Sequence, residues 1–105
     1  MATIKIVQND TRPPLEFDIT QDGKAVNLTG ATVKFYMKNA DTGAVKINGA
    51  ACTITDAVKG KCRYSWQASD TNTVGTYSGE VEVTFPDSSI HTGYKQMIIV
   101  VRDDI

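Results

Sequence analysis

Leu28-Thr29-Gly30-Ala31-Thr32-Val33-Lys34-Phe35-Tyr36-Met37-Lys38 is a turn that runs straight into an alternating strand. Val33, Phe35 and Met37 fall on one face, and Thr32, Lys34, Tyr36 and Lys38 on the other. A period of two with one apolar side marks a β-strand buried on one face. Gly30 stands just before it, where a chain needs a positive φ or a close backbone approach.

The same pattern recurs outward from this strand. Upstream, Leu15-Glu16-Phe17-Asp18-Ile19-Thr20 alternates, with Leu15, Phe17 and Ile19 inward. Asp22-Gly23 after it is a tight-turn signal. The run Gln8 to Pro14 ends in two prolines and is irregular, and Thr3 to Val7 before it is a short β-prone arm. Downstream, Asn39 to Gly43 turns, Ala44 to Ile47 is extended, and Asn48-Gly49 reads as a second turn. Ala51 to Thr55 and Lys61 to Trp66 are strands, the latter with Cys62, Tyr64 and Trp66 inward. Thr76 to Phe85 places Tyr77, Val81, Val83 and Phe85 on one side, with Gly79 among them at a bulge or close contact. Pro86 opens a turn, and Tyr94 to Arg102 is the last strand. About seven or eight short antiparallel strands with regular turns predict an all-β immunoglobulin-like sandwich, with a closed barrel as the alternative.

The chain has 105 residues, enough for one domain over 1–105 with a short N-terminal arm over 1–12. A net charge of −1 with mixed signs gives no footprint for nucleic acid or for a membrane surface. The opening Met1-Ala2-Thr3-Ile4-Lys5-Ile6 lacks a signal-peptide pattern, which predicts synthesis in a cytosol. Cys52 and Cys62 match no zinc or redox spacing. They read as small inward hydrophobes, with a cross-strand disulfide as the other possibility.

Little here suggests chemistry. His91, the one histidine, has no carboxylates at metal-ligand spacing, and neither Ser88 nor Ser89 lies in a nucleophile elbow. There is no phosphate loop and no calcium loop. Glu80 and Glu82 point the same way about 7 Å apart, the spacing of an inverting glycosidase pair. Two acids on an outer sheet face ordinarily serve as solvated surface. The expectation is no catalytic residue, no metal, no cofactor and no small-molecule substrate.

Binding surfaces are better represented. In Met97-Ile98-Ile99-Val100-Val101 both faces are apolar, so if Met97, Ile99 and Val101 enter the core, Ile98 and Val100 emerge. Emergent apolar groups either lie under the protein's own chain or mark an interface. Tyr36, on the outer face of its strand, is a second interface candidate. Ile4 and Ile6 are a third, since their arm pairs with an edge of its own sheet or of a neighbouring subunit.

Several segments together resemble a known family. They are Asn9 to Phe17, Asp22-Gly23-Lys24, Leu28 to Phe35, Gly60 to Trp66, Asp70-Thr71 with Gly75-Thr76-Tyr77, and Glu80 to Phe85. The chain is similar to the N-terminal immunoglobulin-like domain of the upper baseplate proteins of tailed bacteriophages, the BppU type. Leu28-Thr29-Gly30-Ala31-Thr32-Val33 carries most of the resemblance. It implies a non-enzymatic virion structural module, assembled in the host cytoplasm, whose partners are other phage structural proteins and copies of itself. In longer members this domain anchors the chain to the particle, and later domains hold receptor-binding proteins. A copy ending at Ile105 is expected to be a tail or baseplate connector or a surface decoration, including of the capsid. The alternative is a carbohydrate- or host-surface-binding module of the virion, which needs exposed aromatics grouped together, from Tyr36, Tyr94, Tyr64 or Trp66.

Overall fold

The computed structural model describes residues 2–103, and the side chains of all of these except 2 and 93–95. They form β1 (Ala2–Val7), β2 (Leu15–Asp18), β3 (Thr20–Gln21), β4 (Lys24–Ala25), β5 (Thr32–Asn39) and β6 (Val45–Ala51). After these come β7 (Thr53–Asp56), β8 (Lys61–Tyr64), β9 (Gly75–Thr84) and β10 (Ile90–Arg102). One sheet has the order β1-β10-β9-β5-β6, the other β2-β8-β7, and β3-β4 is a separate small hairpin. The pairs are antiparallel except β1 with β10, which is parallel. This is the immunoglobulin-like sandwich that the strand spacing predicts.

The core lies between the inner faces of the two sheets. β5 contributes Val33, Phe35 and Met37, all buried, as its alternation requires. β9 and β10 add Tyr77, Val81, Val83, Met97, Ile99 and Val101. From the opposite sheet come Leu15, Phe17, Cys62 and Tyr64, with Trp66 just beyond β8. Phe35 joins the layers: its ring centroid lies 5.1 Å from that of Tyr64 and 6.1 Å from that of Trp66, which meets it edge-on. Edge-to-face rings at these distances contribute beyond their buried area. Gly79 sits in this core in unbroken register with Met97, so it marks a close contact and not a bulge. A Cβ there would stand 2.6 Å from Ile99 Cδ1 and 3.0 Å from Phe35.

Two turns behave as their residues dictate. Asp22 and Gly23, with φ of 53° and 79°, close the β3–β4 hairpin, as a two-residue loop of the mirror-image type demands. Gly30 has φ +77°, and a Cβ on it would meet Pro86 Cγ at 2.9 Å, so both reasons for a glycine before β5 apply.

Several elements differ from expectation: β10 begins at Ile90 and not at Tyr94, the run over 15–20 divides into β2 and β3, and two further changes concern β6. Asn48-Gly49 does not turn the chain. β6 runs through it, and Gly49, at φ +79°, is the extra residue of a bulge between the Phe35–Ala50 and Tyr36–Asn48 pairs. The strand expected over 51–55 is broken at Cys52, where the chain leaves β6 in one sheet and enters β7 in the other. The Cys52 amide donates to Val33 O at 2.9 Å across that step.

The long polar connection between β8 and β9 is fastened by buried polar groups. Its 3-10 turn, Ala68–Thr71, holds the Asp70 carboxylate inside, where it accepts from the Tyr64 hydroxyl and from the Gln67 amide. The Thr71 hydroxyl donates to Asp10 O, and the Asn9 amide donates to Thr71 O, tying the segment after β1 to this connection. Tyr77 at the start of β9 donates its hydroxyl to Thr73 O at 2.8 Å. That is the tyrosine corner of immunoglobulin-like domains.

Candidate docking face

Among the described residues, no second layer lies over the outer face of the five-stranded sheet. Register alone sets what it displays. Residues directly opposite on neighbouring strands share a face, so four strands build three rows across it. The first is Thr92–Glu82–Lys34–Ala51, from β10 through β9 and β5 to β6. The second is Gln96–Glu80–Tyr36–Asn48. The third is Ile98–Ser78–Lys38–Val45. Beyond them, Val100 lies between Lys5 of β1 and Thr76 of β9.

The rows are charged in the middle and apolar at two corners. Ile98 and Val100 are half-buried by their strand neighbours, whereas Val45 is 66 % exposed. Tyr36 leans from its own row towards Gly49 and Glu82. Its hydroxyl lies 3.4 Å from Glu82 Oε1, and a Cβ on Gly49 would stand 3.1 Å from that hydroxyl. Desolvation, then the Glu82 carboxylate, pushes the Tyr36 phenol above its usual pKa, so it stays a neutral donor. Where the ring leans away, a shallow depression of about 310 Å³ remains, bordered by Lys38, Val45, Ser78 and Glu80.

The interface candidates therefore separate. Ile98, Val100 and Tyr36 come together on this outer face. Ile6 is buried in the core, and Ile4 packs partly buried against it. β1 pairs with its own sheet through β10, and these two side chains turn inward. Val45, not singled out in the sequence, is the most exposed large apolar side chain among these rows. Its signal is its pairing with Lys38, which is invisible until two irregularities in β6 are known, the bulge at Gly49 and a second register shift that skips Lys46.

The remaining chemical candidates are placed as follows. Glu80 and Glu82 both lie on this open sheet face, flanked by Lys34 and Lys38 of β5. Tyr64 and Trp66 are inside, so among the described side chains only Tyr36 of the four named aromatics faces out. Tyr94 lies outside the described side chains. Cys52 and Cys62 are free thiols, pushed up to about 12 and about 11, chiefly by burial. At neutral pH they are protonated and poor nucleophiles. Among the described residues, no group of three or more His, Cys, Asp or Glu could hold a metal ion.

Residues 2–105 match the model of the BppU N-terminal domain. The chain belongs to this family. As a member of the BppU N-terminal domain family it is a structural module of the phage baseplate type, and hence a virion component. No curated protein matches the chain. Among solved structures it is similar to CopC from Methylosinus trichosporium OB3b, with 12% identity and a TM-score of 0.58, over 100% of this chain and 88% of that one. Murine CRIg aligns over 100% of this chain and 94% of its own, with 13% identity and a TM-score of 0.37. The likeness to CopC is one of fold, an immunoglobulin-like sandwich.

Proposed function

We propose that this BppU-type module serves as a connector or surface decoration of the phage particle. The whole chain acts as one sandwich, without catalysis, through repeated contacts with other structural proteins. It folds in the host cytoplasm and is then captured by the growing particle. The observation that carries this reading is the outer strip of β10. Ile98 and Val100 stand there side by side on a sheet face over which no described residue packs as a second layer. Neighbouring strands shield their flanks, so the strip is tolerated in the free protein. A partner laid over it would remove its remaining apolar area from water. Around it Lys5, Arg102 and Gln96 supply the polar rim expected of a contact that must also be soluble when free.

The test is incorporation into particles. An Ile98→Asp, Val100→Asp double variant, supplied in place of the natural chain during infection, is expected to fold with an unchanged circular dichroism spectrum and to be missing from purified virions. A folded variant present in virions at the natural copy number would overturn the proposal. Loss of folding would place the strip among the groups the sandwich needs, and would overturn it equally.

A further inference from the structure

The three rows have an internal symmetry. A two-fold axis laid along the strands, midway between β5 and β9, carries β5 of a second copy over β9 of the first, and β6 over β10. Because the rows are level across the sheet, each residue then meets the partner of its own row. We infer that the outer face is self-complementary and that two copies of this chain pack through it as an isologous dimer. The inference rests on the reading of this face as a contact surface and names what covers its central part.

Every row matches itself under this operation. In the first, Glu82 meets the second copy's Lys34, and Lys34 its Glu82. In the second, Gln96 meets Asn48, amide against amide, and Glu80 faces the depression that Tyr36 leaves by leaning towards Glu82. In the third, Ile98 meets Val45, the most exposed large apolar side chain of these rows, and Ser78 meets Lys38. Like charges are nowhere placed opposite one another, which a face designed only for solvation has no reason to avoid. An axis one strand further over, between β9 and β10, would place Glu82 against Thr92 and leave Lys34 and Val45 without counterparts. Of these two axes, register favours the one between β5 and β9. Sheets packed face to face incline by about 30°, and side chains of this length span the resulting offset.

The patch is small. Four strands about 4.8 Å apart and three rows about 7 Å apart give roughly 15 by 14 Å before side chains are counted. That is below the ~800 Å² a side of a standard stable interface. The dimer is accordingly weak in dilute protein, with dissociation in the range of roughly 10 to 500 μM. A lattice that holds many copies close together favours it.

Sedimentation of the full chain, taken up to about 1 mM, tests this. The wild type is expected to approach twice the monomer mass and to stop there. Lys34→Glu and Glu82→Lys are each expected to weaken association at least tenfold, because each sets like charges against each other twice in the dimer. An equimolar mixture of the two single variants should associate again, since each now complements the other, and so should the double variant K34E/E82K. Each variant's fold is checked by circular dichroism, because Lys34 and Glu82 are also neighbours within one sheet. A wild type that stays monomeric at the highest concentration overturns the inference. So does mass growth past the dimer, single variants that associate like the wild type, or a mixture of folded single variants that does not associate. Val100→Asp lies outside the patch and should dimerise normally. Its loss from particles beside intact dimerisation would separate a failure of this inference from a failure of the particle-contact reading.

Discussion

The two faces of the five-stranded sheet carry the same alternation to opposite ends. On the inner face Val33, Phe35 and Met37 of β5, Tyr77, Gly79, Val81 and Val83 of β9, and Met97, Ile99 and Val101 of β10 form one layer, and almost nothing of it reaches water. There, Gly79 is the proof of tightness, since Ile99 and Phe35 occupy the space a methyl group would need. On the outer face the same strands show glutamates, lysines, a tyrosine and amides, with an apolar strip at Ile98 and Val100, and β6 adds Val45. The inner face stabilises the fold by amount of buried surface, and detail matters through volume. The outer face adds little to stability, and detail matters through position. A shift of one residue in register would exchange the two.

Substitutions in adjacent residues of β5 should break this comparison most clearly. Phe35→Ala removes the ring that links the layers, and is expected to cost about 3–5 kcal/mol in urea denaturation. Tyr36→Ala, its immediate neighbour, is expected to cost under about 1 kcal/mol, since its hydroxyl makes one long contact at a half-exposed site. Gly79→Ala adds only a methyl group to the inner face, yet should cost about 1–3 kcal/mol through overpacking. Equal losses at positions 35 and 36 would mean that the outer face is no freer than the inner one.

A smaller effect sharpens the contrast through pH. The thiols of Cys52 and Cys62 are raised to about 12 and about 11 by their surroundings in the folded protein. The unfolded chain then loses its thiol protons first. The stability these groups contribute is complete below about pH 8.5 and declines as pH rises towards the folded values, by roughly 1–2 kcal/mol per thiol at pH 10. Cys52→Ala, Cys62→Ala should lower stability at pH 7 through lost packing, but flatten its decline between about pH 8.5 and 10.5. An unchanged slope in urea melts across that range would show that the thiols are not shielded as described.

Much of the sandwich was legible from local pattern. Each of Val33, Phe35 and Met37, and each of Cys62, Tyr64 and Trp66, is inward as alternation requires. Gly30 is where a positive φ is needed. The differences arise where a local signal has two outcomes that only distant partners resolve. Asn-Gly is a strong hairpin turn, but with β5 continuing alongside, its positive φ is used for a bulge. Cys52 fits a strand on either side of it, and the change of sheet shows only in what Thr53 pairs with. Asp70 looks like one more polar loop residue, although its spacing from Gln67 is that of a capping box. It is the Tyr64 hydroxyl, from the preceding strand, that makes its burial tolerable. For the docking face, Ile98 and Val100 could be read from a run apolar on both sides. Val45 could not, since only the pairing across the two register shifts of β6 brings it to the same row as Ile98.

Lysine modification of intact virions, compared with the free protein, is the most direct test that this sheet face is covered in the particle. Lys34 and Lys38 lie on the outer face, whereas Lys24 and Lys59 lie in the turns of β4 and before β8, and all four are exposed in the free chain. Acetylation in virions should become much slower at Lys34 and Lys38 and stay nearly unchanged at Lys24 and Lys59. Lys34 and Lys38 reacting in virions as fast as in the free protein would contradict it.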